Sequence, residues 1–174
     1  MRIIGLVGWQ GSGKTTLIKR LLSEFSNYGI SVSTMKHAHH RFDLDQPGKD
    51  SYEHRAAGAA EVLISSVNRW AIMHEHRGAP EATFEELVSR MQQVDLLLVE
   101  GFKKHEHDKI EVYRPSVSKS LLCRNDPNII AVASDTTLNE LSIPVLSLDD
   151  VTVIADFIIE QCEFDNCSRF VRRT

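Results

Sequence analysis

The sequence predicts an α/β protein: a mostly parallel sheet layered between helices, with an antiparallel hairpin. Three observations predict it. The apolar runs "IIGLV", "LLLV" and "IIAVA" have the length and residue types of buried strands. Segments with apolar residues at helical spacing lie between such runs, so strands and helices alternate along the chain. Finally, the runs "EVLISS" and "WAIMHE" are parted only by "VNR", too short for a crossover, so they fold back on each other.

Each element follows in order. Ile3, Ile4, Leu6 and Val7 form the first strand. After Lys14, residues Leu17, Leu21, Leu22 and Phe25 recur at helical spacing, and Gly29 supplies the C-cap. A second strand at 31–36 ends in "KHAHH", and the polar loop "RFDLDQPGK" follows. Asp50, with Glu53 three residues on, reads as the N-cap of a short helix. The hairpin comes next. Thr83 and Glu86 make a second capping box, ahead of Phe84, Leu87, Val88 and Met91 on one helical face. "LLLV" is a central strand, and "KIEVY", "NIIAVA" and "VLSL" supply three more. The last helix carries Val151, Ile154, Ile158 and Cys162 on one face.

The 174 residues suit a single domain, 1–174, with no repeat, low-complexity tract or linker. Charged residues are 25% and apolar ones 42%, as in an ordinary globular protein. A net charge of -4 argues against a general nucleic-acid or membrane-surface binder. No apolar stretch approaches a membrane span, and the first strand begins at once, so the expected compartment is the cytoplasm. Cys123, Cys162 and Cys167 are too few for a disulfide framework and lack metal-binding spacing.

The chemistry is concentrated in "GWQGSGKT", residues 8–15, which fits G-x-x-x-x-G-K-[ST] between a strand and a helix. Gly8, Gly11 and Gly13 let successive backbone N–H groups aim at phosphate oxygens, with the helix dipole behind them. Ser12 adds a small donor. Lys14 is placed for the β- and γ-phosphates, the Thr15 hydroxyl for Mg²⁺, and Thr16 for the α-phosphate. A nucleotide-binding domain of the P-loop NTPase fold is therefore expected.

Ligands of such sheets bind beyond the carboxyl ends of the strands. Glu100 closes "DLLLVE" at that edge, so it is the expected Walker-B acid, serving Mg²⁺ or the attacking water; Lys14 and Glu100 are the expected catalytic pair. Asp95, at the opposite end, reads as structural. Lys36 and His37 close the second strand on the ligand edge. With His39, His40, Lys49 and Arg55 they read as a cationic patch for triphosphate or a second anion. A zinc site there lacks a fourth ligand at structural spacing, and a solvated loop is the plain alternative. "FKKHEHDK" is a second basic loop that reads as solvated surface.

For the base, no N-K-x-D follows a late strand, yet "NIIAVASD" ends in Ser134 and Asp135. An aspartate accepts two hydrogen bonds from guanine's ring N–H and exocyclic amine, whereas adenine would leave it unpaired. GTP is thus the expected nucleotide. Asp135 as a simple turn cap is the alternative.

Taken in order, "GWQGSGKTTLI", "KHAHH", "DQPGKDSYEHRAAGA", "RWAIMHE", "DLLLVEGFK" and "IIAVASD" resemble the MobB family of molybdopterin-guanine dinucleotide biosynthesis nearly end to end. The resemblance implies GTP and Mg²⁺ as cofactors, slow hydrolysis and a homodimer. It also implies an adapter or nucleotide-donor role toward a separate guanylyltransferase, MobA, with molybdopterin or its molybdenum form as a further ligand. Gly11, Gly13, Lys14, Thr15, Thr16 and Glu100 carry over as the phosphate, metal and Walker-B positions. The residues agree on turnover. No glutamine follows the Walker-B strand and no arginine finger is identifiable, so hydrolysis should resemble that of unassisted GTPases. A small-metabolite kinase and a metallochaperone GTPase using "KHAHH" are the rival readings. The tail "CEFDNCSRFVRRT" matches nothing in the family.

Overall fold

In the computed structural model, which describes residues 1–38 and 42–164, the apolar runs become strands where the sequence predicts them. The chain divides into two compact units. One comprises Met1–His37 and Gln92–Thr174, and the other Ala38–Met91.

The first unit holds β1 (Arg2–Val7), α1 (Lys14–Tyr28), β2 (Val32–Lys36), β5 (Leu96–Glu100), β6 (Lys109–Tyr113), β7 (Ile129–Ser134), β8 (Val145–Ser147) and α4 (Val151–Gln161). Its six strands run in the order β2-β5-β1-β6-β7-β8. Every pairing is parallel. All six carboxyl ends therefore lie on one edge, and that edge gathers the polar residues described below.

One face of this sheet packs on α1 and α4. Ile4, Leu6, Leu98, Ile110 and Ala131 share that face with Leu17, Leu21, Phe25, Ile154 and Ile158 in a continuous core. Cys162, at the C-cap of α4, is buried in the same cluster. The opposite face carries two charges on β6. Lys109 and Glu111 are 1% and 0% exposed. Such groups are tolerated in an interior only when paired. The Lys109 ammonium reaches Asp126 Oδ2 at 2.7 Å and the Lys103 carbonyl at 3.0 Å. Glu111 accepts from the backbone N–H groups of Leu122 (2.8 Å) and Cys123 (2.9 Å). Loops on both sides of β6 are thereby tied onto the sheet.

The second unit holds α2 (Asp50–Ala56), the antiparallel hairpin β3 (Glu61–Ser65) and β4 (Trp70–His74), and α3 (Phe84–Ser89). The Thr83–Glu86 capping box is formed in both directions. The start of α2 differs from expectation. Lys49, extended at ψ 148°, is the N-cap and makes no side-chain cap; Asp50 is the first helical residue. Its carboxylate then sits in the first turn, where it favours the helix dipole instead of closing an N–H group. Arg55 is ion-paired with Asp45 (2.7 Å), Asp43 (2.8 Å) and Glu75 (3.4 Å). Its charge is thus met by three carboxylates of its own unit.

Candidate functional site

Between β1 and α1 the chain makes the predicted glycine loop. Gly8 has φ 149°, and a Cβ there would stand 2.4 Å from the Val112 carbonyl oxygen of β6. That neighbour is backbone and cannot yield, so only glycine fits. Gly13, at φ 98°, is the N-cap of α1 and offers no side chain to the helix. The first N–H groups of α1 are therefore left to an outside acceptor. Gly11 is also at positive φ. Ser12 is 1% exposed, and its hydroxyl oxygen meets no hydrogen-bond partner among the described residues.

The Lys14 ammonium is folded back over the loop, donating to the carbonyls of Gly8 (3.1 Å) and Trp9 (2.9 Å). Burial pulls its pKa below the ordinary lysine value; Glu100 opposes the shift, while Lys103 and Lys36 add to it. Thr15 and Thr16, in the first turn of α1, are exposed.

Next to β1 stands β5, and Glu100 ends it. The Thr15 hydroxyl donates to Glu100 at 3.1 Å, and the Lys36 ammonium lies 3.5 Å from the same carboxylate oxygen. A hydroxyl and a carboxylate side by side are hard oxygen donors of the kind Mg²⁺ takes, with room for phosphate oxygens. The chain then turns sharply through Gly101 (φ 96°) and Phe102 (φ 48°). Phe102 stacks on His37, ring centroids 4.8 Å apart, and the His37 N–H donates to the Glu100 carbonyl at 2.9 Å. His37 thus braces the end of β5. Asp95, at the far end, accepts from the backbone and side chain of Ser31, a structural role. His39, His40 and Cys167 lie outside the described residues. Among the described residues no group of three histidine, cysteine or acidic side chains is gathered for a metal.

On the other side of β1 are β6 and β7. Ser134 ends β7, is buried, and accepts from the Thr136 N–H at 3.2 Å. Ser134 and Asp135 line a hollow of about 320 Å³ with Thr136, Leu138, Val145 and Ser147. Asp135 is ion-paired with Arg114 at 2.5 Å. A larger hollow, about 500 Å³, lies between Tyr28 and α4 and is lined by no cation.

Sequence reasoning passed over three residues at this edge. Arg114, one position past β6, donates through Nε to the Ser12 carbonyl at 3.2 Å. Trp9, at a variable position of the loop motif, donates to the Ser120 carbonyl at 2.8 Å. Lys103 lies over the Trp9 ring at 4.6 Å, so the "FKKHEHDK" loop is not wholly solvated surface. The strand-end rule that singles out Lys36 and Glu100 would also have found Arg114, which follows "KIEVY" directly.

Comparison with known proteins adds the following. A family model described as MobB, molybdopterin guanine dinucleotide synthesis protein B, matches residues 3–135. The molybdopterin-guanine dinucleotide biosynthesis adapter protein of Escherichia coli (strain K12) is 42% identical, covering 94% of this chain and 95% of its own length. The protein of the same description from Haemophilus influenzae is 37% identical over 90% of this chain and 86% of its own. The crystal structure of Bacillus subtilis MobB superposes with a TM-score of 0.72 at 27% identity, covering 92% of this chain and 98% of that one.

Proposed function

The chain belongs to the MobB family, and from that premise we propose that it is an adapter in molybdopterin-guanine dinucleotide biosynthesis that binds GTP with Mg²⁺ and hydrolyses it slowly. The observation that carries this reading is the loop itself. Lys14 is held on the carbonyls of Gly8 and Trp9, with Thr15 and Glu100 in contact beside it. A buried Ser12 hydroxyl and uncapped helix N–H groups supply the remaining donors for a polyphosphate.

In this reading the loop amides and Lys14 grip the phosphate tail. Thr15 and Glu100 would hold Mg²⁺, which when bound neutralises charge on the terminal phosphates. Asp135, at the rim of the hollow beyond β7, accepts guanine's two donors. Lys36 stands 3.5 Å from the same Glu100 oxygen that the Thr15 hydroxyl meets, beside the proposed metal position. The guanylyltransferase MobA is the proposed partner, and molybdopterin or its molybdenum form the proposed further ligand; the adapter description of the relatives is consistent with a partner enzyme. A homodimer is favoured by the apolar hairpin face, where Leu63 pairs with Ile72 and both stay largely exposed, with Trp70 beside them.

Calorimetric titration with GTP and a phosphate-release assay test the reading together. Lys14→Ala should weaken GTP binding by about 100-fold or more, because a partly buried charged contact is lost. Glu100→Gln should slow hydrolysis by about tenfold or more and change affinity far less. Undiminished GTP affinity in Lys14→Ala would remove the loop from nucleotide binding. Unchanged hydrolysis in Glu100→Gln would remove Glu100 from the reaction.

A further inference from the structure

Arg114 has no place in the phosphate and magnesium chemistry just described. It lies on the β6 side of β1, whereas Glu100 and Lys36 lie on the β5 side. Its position follows from strand register. Tyr113 of β6 is paired with Ser134 of β7, so the next residue of each strand, Arg114 and Asp135, emerge side by side at the ligand edge.

The guanidinium then joins two places that the chain keeps far apart. Nε donates to the Ser12 carbonyl in the glycine loop at 3.2 Å, and Nη1 meets Asp135 Oδ2 at 2.5 Å. Nη2 lies beside Gly13, 3.8 Å from where a Cβ on that residue would stand. One planar fork thus fixes the distance between the phosphate loop and the hollow lined by Ser134 and Asp135. The Arg114 side chain is about one-third exposed and that of Asp135 one-quarter, so the pair is only partly screened by water. A carboxylate has lone pairs for about four hydrogen bonds, so this contact leaves capacity for an incoming base.

We propose that Arg114 is a positioning residue for purine discrimination: it ties the Ser12 carbonyl to Asp135 and so orients the carboxylate that reads guanine. This rests on the nucleotide reading above. Without the guanidinium, Asp135 is free to turn toward water, and the preorganised acceptor is lost. A lysine gathers its donors on one nitrogen, so it does not match two acceptors spaced for the Nε and Nη1 of a fork.

The test is a double-mutant cycle read as the ratio of GTP to ATP affinity, using Arg114→Ala, Arg114→Lys, Asp135→Asn and the Arg114→Ala/Asp135→Asn double variant. Thermal unfolding shows that each is folded, and Arg114→Lys serves if the alanine variant is not. The wild type should prefer GTP. Arg114→Ala and Asp135→Asn should each lower that preference about tenfold, and the double variant should lower it no further than either alone. Arg114→Lys should fall between wild type and Arg114→Ala.

A structural role for Arg114 alone would weaken GTP and ATP equally, and that result overturns the proposal. So do multiplicative effects in the double variant, or a wild type indifferent to the base. Failure of the nucleotide reading looks different: the wild type binds neither triphosphate, or Lys14→Ala binds both as well as wild type does, and the inference then falls with it.

Discussion

Burial, the Lys109 ammonium and His105 together push the His107 imidazole down to about 4 from the usual 6.5, with Asp126 pulling the other way. Between those two values the unfolded chain holds a proton that the folded chain releases. Stability therefore rises with pH across that window and is lost as pH falls from 6.5 toward 4. The full gap corresponds to about 3 kcal/mol. The ring is only half-buried, so about 1–2 kcal/mol is the expected loss after discounting for solvent. His107→Gln should flatten the urea midpoint between pH 6.5 and 4.5 relative to wild type. Parallel midpoints in the two proteins would assign the acid sensitivity to other groups. The same crowding acts on the chain opposite: a Cβ on Gly5 of β1 would stand 2.4 Å from the His107 ring.

At the level of elements, the helix starts differ in what closes them. Asp150, extended ahead of α4, accepts from the N–H groups of Thr152 (3.1 Å) and Val153 (3.3 Å). It is the kind of cap whose removal costs about 1 kcal/mol. Asp150→Ala should therefore lower the thermal midpoint by about 2–4 °C, and Asp150→Asn should keep most of it. Equal losses in the two variants would show that charge, not capping, is what Asp150 contributes. α2 has no such cap, because the backbone stays extended through Lys49 and Asp50 already belongs to the helix. α1 has none either, and its open N–H groups are those the proposed phosphate site uses. Hydrophobic periodicity anticipated α1 and α4, since it depends only on residues three and four apart, whereas α2, which buries no residue, is expected from Asp50 and Glu53 alone. It did not mark Lys109 and Glu111 as buried. Their partners, Asp126, Leu122 and Cys123, come from a loop whose path no local pattern determines.

For the whole molecule, the parallel order of six strands has an electrostatic consequence. A chain of net charge -4 brings Lys14, Lys36, Lys103 and Arg114 to one sheet edge. Under the proposed function, GTP affinity should fall by about tenfold as ionic strength rises from about 0.05 to 0.5 M, because exposed charges are screened beyond a few ångströms. Lys36→Ala should reduce that slope. A salt-independent affinity measured by titration would mean that these cations do not reach the ligand. Among the described residues no helix is long and apolar enough to cross a membrane.

The sequence by itself determined the glycine loop, the alternation of strands and helices, and the places of Lys14, Thr15 and Glu100. Consecutive amides and strand-end residues are local features, and local spacing is enough to find them. Only the tertiary structure decided that Arg55 is neutralised by Asp43, Asp45 and Glu75, and that Arg114 bridges Ser12 and Asp135. The physical reason for Arg114 is that strand order and register bring it to a carbonyl 102 residues away in sequence and to a carboxylate 21 residues away. In a parallel sheet those are set by the packing of every crossover at once, not by the residues that finally meet.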